Sequence, residues 1–211
     1  RVNFETLLYQ VLRSSGEQTS ADTNLTSAFS VGTGVRVVNA DKLFSQGSIV
    51  STDNALDLAV DGAGFFQVLL PDGRIGYTRN GTFSRNNEGA LTTSSGFVIQ
   101  PEVVIPEDAQ EINVSSDGVV SVQLPGAVEQ EEVGQIELAE FQNRNGLQPI
   151  GESFYVETTA SGEAIIANPL EGSFGKLVQG ALESSNVSVV KELVDMIETQ
   201  RAYEVNSKAI S

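Results

Sequence analysis

The chain has 211 residues, 28 acidic against 12 basic side chains, a net charge of −16 and neither Cys nor His. That charge opposes phosphate backbones and anionic lipid surfaces, which argues against nucleic-acid binding. The missing Cys and His remove disulfides, thiolate nucleophiles, Ser-His and Cys-His pairs and most transition-metal sites. A chain of this length can bury roughly 70% of its unfolded surface, so a real core is available. Trp is absent, Met occurs once, and 20 Gly stand singly at turn-like positions, a composition that favours a β-rich domain. The carboxylates are spread along the chain, which suits solubility better than an acidic binding tail. No apolar run of about 18 residues occurs, and no basic segment precedes an apolar one, so neither a membrane insertion nor a Sec-type signal peptide is predicted.

Along the chain, Phe4, Leu7, Leu8, Val11 and Leu12 recur at helical spacing and predict a short helix over 4–12, although so short a run of Leu, Val, Tyr and Phe serves an extended segment equally. Residues 13–33 are rich in Ser, Thr, Gly and Asn and read as a flexible linker or surface loop. From Gly34 onward short apolar runs alternate with explicit turns: Pro71-Asp72-Gly73, Asn80-Gly81, Asn87-Glu88-Gly89 and Ser95-Gly96. Leu56, Leu58 and Val60 are expected to face one way and Asp57, Ala59 and Asp61 the other, in a half-buried strand. Pro101 and Pro106 bracket an edge strand or a crossover. A hairpin turns near Ser116-Asp117-Gly118, a polar excursion follows around Pro125 and Gly126, and another strand ends at Asn145-Gly146. About ten short strands at such spacing predict a mainly β fold, a multi-hairpin sandwich or barrel-like central domain, followed by one C-terminal helix.

Candidate chemical sites are weak. Gly62-Ala63-Gly64 and Gly32-Thr33-Gly34 have the look of a phosphate cradle but complete no phosphate-binding motif, so tight turns are the better reading. Asp53, Asp57 and Asp61 lack both a Ca²⁺-loop pattern and an aromatic platform, and a solvated sheet face is expected there. No catalytic residue, metal ligand or cofactor site is predicted. Phe65, Phe66, Tyr77, Phe83 and Phe97 fit core or cross-strand positions.

The last stretch, GALESSNVSVVKELVDMIETQRAYEVNSKAIS, is the one long segment with clean helical periodicity. With Leu193 at heptad position a, Asn186, Leu193, Gln200 and Ser207 form the a row, and Val189, Met196, Tyr203 and Ile210 form the d row. Val190, Val194 and Ile197 widen the apolar stripe in the first half and are expected to hold the helix root, while Arg201, Glu204 and Lys208 leave the second half a narrow seam. Ser188 is the expected N-cap, which places Lys191 at the third helical position and forgoes the reciprocal capping box. The seam is still running at Ser211 with no capping Gly or Pro after it, so a helix that continues is expected. Leu193, Val189, Met196, Gln200, Tyr203, Ser207 and Ile210 are therefore the candidate self-assembly residues.

The segment from Ser185 to Ser211 closely resembles the C-terminal signature of flagellar rod and hook proteins, in which S-N-V, E-L-V, M-I, Q-R-A-Y-E and N-S-K recur in this order. VGTGVRV, the block from Asp57 to Pro101 and GLQPIGESFYVET are similar to the same family's central β domain. FETLLYQVLRSSGEQTS followed by GTGVRV resembles the distal-rod branch more than the hook branch. The resemblance implies a connecting segment at 1–33, a β domain at 34–180 and an assembly helix at 181–211, in a core that lacks the family's N-terminal helix and the end of its C-terminal one. It implies a homo-oligomeric helical rod, exported by the flagellar type III route, with proximal rod, hook and P- and L-ring proteins as partners, transmitting torque from periplasm to hook and catalysing nothing. An acidic exterior would suit turning inside a ring. The alternatives are a proximal rod or hook protein, or a secreted glycan-binding β-sandwich, against which the absence of Trp counts.

Overall fold

A computed structural model describes residues 2–6, 9–13, 18–20, 23–24, 29–32, 34–40, 42–126 and 129–210. The chain divides into two compact units, residues 1–44 and 45–211.

The first unit is a nested antiparallel ribbon. Val2–Thr6 pairs with Val35–Ala40, Tyr9–Arg13 with Phe29–Gly32, and Gln18–Ser20 with Thr23–Asn24. Of the two readings left open for 4–12, helix or extended, the described residues take the extended one, in two strands, with residues 7 and 8 lying outside the described ones. Each arm of the ribbon finds its ladder on the returning chain, and that long-range pairing overrides a local pattern that suited either state. The Ser/Thr-rich stretch is in part strand as well, because β-branched Thr and Val suit a ladder as readily as a loop.

The second unit is mainly strand with one C-terminal helix. Its largest sheet has seven strands, and along its path Gln148–Gly151, Phe154–Val156, Ile75–Thr78, Phe65–Leu69, Leu138–Glu140 and Ile165–Ala167 lie side by side, with Ile99–Gln100 also pairing on Phe65–Leu69. Successive side chains of a strand point to opposite faces, so Phe65 and Phe66 serve two different clusters. Phe66 meets Phe83 edge to face at 5.1 Å and joins a core with Leu58, Val60, Ile99, Val120 and Leu138. Phe65 packs edge-on with Phe141 at 6.2 Å, and Phe141 in turn lies 4.7 Å from Tyr77. Burying each such side chain fully contributes on the order of 1.5–3 kcal/mol before entropy is subtracted.

The hairpin turns at Gly73, Gly89 and Gly118 form as the sequence predicts, all three at positive φ. Asn80-Gly81 does not. Ile75–Thr78 and Phe83–Arg85 belong to different sheets, and Gly81 is there for proximity: a Cβ on it would lie 1.6 Å from the carbonyl oxygen of Leu58, which accepts no side chain in that space. The half-buried strand at 56–61 is also corrected. Leu58, Ala59 and Val60 are all buried, and Asp57 is 5% exposed, because the segment is covered on both faces. Between Pro101 and Pro106 the expected edge strand is reduced to a single bridge from Val104 to Ala90, with Val103 and Ile105 buried and Val104 exposed. The polar excursion is shorter than expected, since Glu131–Gln135 pairs with Val119–Gln123 as the third strand of a small sheet. Likewise Asn145-Gly146 closes a short 3-10 turn, Arg144–Gly146, and not a strand end.

Candidate assembly surface

The C-terminal helix runs from Val189 to Ile210, about 33 Å at 1.5 Å per residue. It starts where the sequence predicts: the Ser188 carbonyl accepts the first helical hydrogen bond, from the Glu192 amide at 3.0 Å, so Ser188 is the N-cap and Lys191 the third helical residue. Glu192 in the first turn and Lys208 in the last both complement the helix dipole. Thr199 turns its hydroxyl back to the Asp195 carbonyl at 2.8 Å, which removes a polar group from the apolar side.

Every described side chain from Ser185 to Ala209 is exposed. The seam residues Val189, Leu193, Met196 and Tyr203 are 69, 52, 56 and 75% exposed, and Gln200 and Ser207 are exposed with them. Ile210 lies within the helix, with its side chain outside the described set. Val190, Val194 and Ile197 are no more covered, at 73, 48 and 48% exposure, so they do not hold the helix root against the chain's own body.

The root is held by a polar network that the sequence did not reveal. Ala181–Glu183 pairs with Ile49–Ser51, and the Ser184 amide continues the ladder to the Ser48 carbonyl at 2.8 Å. Arg79, whose side chain is mostly buried, forms an ion pair with Glu183 at 2.8 Å. Its remaining donors reach the Gly62 carbonyl at 2.8 Å, the Gly64 carbonyl at 2.7 Å and the Val60 carbonyl at 3.3 Å. Glu183 uses its other oxygen to accept the Gly47 amide at 2.8 Å. The final link is Asn186, which donates to the Ser45 carbonyl at 2.9 Å three residues before the helix. Gly62 and Gly64 thus turn their carbonyls onto a guanidinium, the reverse of the amide cradle that a phosphate needs. A lone Arg between a strand and Asn-Gly carries no local signal of this role.

The three aspartates of the strand region do not converge. Asp57 accepts the Thr52 hydroxyl at 2.8 Å and the Asn54 amide nitrogen at 2.9 Å, which satisfies it in place. Asp61 pairs with Lys176 at 3.3 Å, and Asp53 is exposed. Among the described residues no helix is long and apolar enough to cross a membrane.

The apolar stripe of the helix thus covers nothing of the chain's own body. Residues 59–122 match the family model described as flagellar hook protein FlgE/F/G D1 domain, and residues 178–211 match flagellar basal body rod FlgEFG protein C-terminal. The flagellar basal-body rod protein FlgG of Buchnera aphidicola subsp. Schizaphis graminum is 48% identical over 211 residues, covering 100% of this chain and 81% of the relative. The chain belongs to the flagellar basal-body rod family. The rod protein FlgG of Caulobacter vibrioides is 44% identical over 212 residues, again 100% of this chain and 81% of the relative. The flagellar hook protein FlgE of Salmonella typhimurium is 44% identical over only 106 residues, 50% of this chain and 26% of its own length. Within the family the chain is thus most like the rod protein FlgG, with the hook protein matching in part. As a rod-family member it is a structural protein of the flagellar basal body.

Proposed function

We propose that this chain is a distal rod subunit that polymerises helically through its C-terminal helix. Copies stack with their helices in an inner tube and their β bodies outside, building the drive shaft that carries torque to the hook. A heterologous interface that repeats without closing produces such a filament. The observation that carries the reading is the exposed seam of Val189, Leu193, Met196 and Tyr203 on a helix that its own body leaves uncovered. Gln200 and Ser207 interrupt the a row, and polar a positions fix register at some cost in stability, which suits many copies that must align. Val190, Val194 and Ile197 broaden the surface offered to neighbouring helices near the root. The 2–40 ribbon supplies further subunit contacts that stiffen the shaft. Proximal rod and hook subunits are the axial neighbours, the P and L rings surround the shaft, and export follows the flagellar type III route.

Met196→Asp and Leu193→Asp place a charge in the seam. In cells lacking the native rod protein, each variant is expected to be made at normal levels yet to abolish swimming and leave basal bodies without a distal rod. Normal swimming with the double variant would reject the seam as the assembly surface.

A further inference from the structure

An open groove of about 420 Å³ lies beside the hairpin that joins Gln148–Gly151 to Phe154–Val156. Its apolar lining is Leu70 and Phe154, both buried, with the more open Pro71, Phe97 and Ile150, and Phe97 meets Phe154 edge to face at 5.2 Å. The hairpin turn is built against local preference. Glu152 and Ser153 stand at φ 50 and 67, a left-handed pair that Asn-Gly adopts without strain and Glu-Ser does not. The register also shifts between Pro149 and Gly151, and such a bulge re-aims a side chain, here Ile150, which lines the groove. The Ser95 hydroxyl donates to the Glu152 carboxylate at 2.5 Å, which fixes that group at the groove without neutralising it. Strain kept where one turn holds a carboxylate and an apolar side chain over the same groove points to something bound there.

Charge narrows what that is. The other carboxylate on the groove, Asp72, is taken by Arg74 at 2.6 Å, whereas Glu152 has no ion pair among the described residues. A lone carboxylate beside apolar surface repels anions and suits a Lys or Arg, to which aromatic rings such as Phe97 add attraction. A second copy of the 45–188 body does not supply that cation, since Arg74, Arg79, Arg85, Arg144 and Lys176 are each engaged within it. A net charge of −16 repels another copy and steers a basic protein inward. Pro149 offers no amide and the register break disrupts the edge, so an added strand is disfavoured and the occupant is held by its side chains. We propose that the groove docks a basic, apolar segment of another protein, with one aliphatic or aromatic side chain seated on Leu70, Ile150 and Phe154 and an adjacent Lys or Arg paired with Glu152. The contact goes beyond the rod-subunit reading and does not depend on it.

The probe is the end-blocked peptide Lys-Leu-Phe-Lys, titrated into the 211-residue chain with its Ile and Leu methyl groups labelled for NMR. Saturable shifts are expected at the Ile150 and Leu70 methyls and not at those of Ile165 and Ile166, which are exposed on another strand of the sheet. Glu-Leu-Phe-Glu, with the charge reversed, and Lys-Ser-Ser-Lys, with the charge but no apolar anchor, should each shift neither Ile150 nor Leu70. Glu152→Gln keeps an acceptor for Ser95 and drops the charge, and should weaken Lys-Leu-Phe-Lys by about fivefold, the upper end for an exposed ion pair. Ile150→Ser should weaken it as well. Silence at Ile150 and Leu70 with millimolar Lys-Leu-Phe-Lys, equal binding of either control peptide, or an unchanged affinity in Glu152→Gln overturns the proposal. Shifts at the same two methyls on concentrating the chain alone would make a second copy the occupant, and overturn it too.

Discussion

Arg79 donates to three backbone carbonyls and one carboxylate, and Glu183 answers it while accepting a backbone amide of its own. Both side chains are largely sequestered, at 23 and 13% exposure, so removing one partner strands the other. Glu183→Ala is expected to destabilise the 45–211 body by about 3 kcal/mol in urea unfolding, the range for breaking a sequestered pair. Arg79→Lys keeps the charge but loses the planar fork and should fall in between. Tyr77 offers a pH test. Burial first, and the Glu157 carboxylate that accepts its hydroxyl hydrogen bond second, push its phenol up to about 12 from an ordinary 10.0. A folded pKa above the unfolded one favours the protonated, folded form: the stabilisation is complete below pH 10 and is lost as pH rises from there to about 12. Tyr77→Phe should therefore unfold less steeply than the native chain across that window, and an unchanged slope would show that the phenol does not contribute.

The helix and the hairpins were legible in the sequence, and for different reasons. Ser188 marked the helix start because a side-chain oxygen ahead of a periodic apolar run is a local signal, and Asp72-Gly73, Glu88-Gly89 and Asp117-Gly118 marked their turns because Gly supplies positive φ. Gly81 misled because glycine also permits close approach, and the Leu58 carbonyl it approaches is distant in sequence. The 4–12 segment stayed open between helix and strand because its apolar residues fit two periods and only the returning strands decide between them. The apolar stripe of the helix was readable as a pattern, whereas the network from Arg79 to Asn186 ahead of it was not, since each contact joins residues far apart in the chain. Because the seam side chains lie on the surface, Leu193→Asp should shift the urea midpoint of the isolated chain by less than about 0.5 kcal/mol in stability. A large loss there would mean that the helix packs on its own body after all.

For the whole molecule, charge and apolar surface divide the work. Between residues 45 and 188 the basic side chains are each engaged within the body: Arg74 with Asp72, Arg79 with Glu183, Arg144 with Glu140, Lys176 with Asp61, and Arg85 on the Pro106 carbonyl. The excess carboxylates therefore face outward with little internal compensation, and copies of the chain repel one another except where uncharged apolar surfaces meet. On our proposal that surface is the apolar seam of the helix. A helical reconstruction by electron cryo-microscopy of native rods containing this protein tests the proposed seam most directly. Leu193, Met196 and Tyr203 are expected to be buried between helices of neighbouring copies, with the β bodies outside. A map that leaves these three side chains facing solvent in the assembled rod would contradict it.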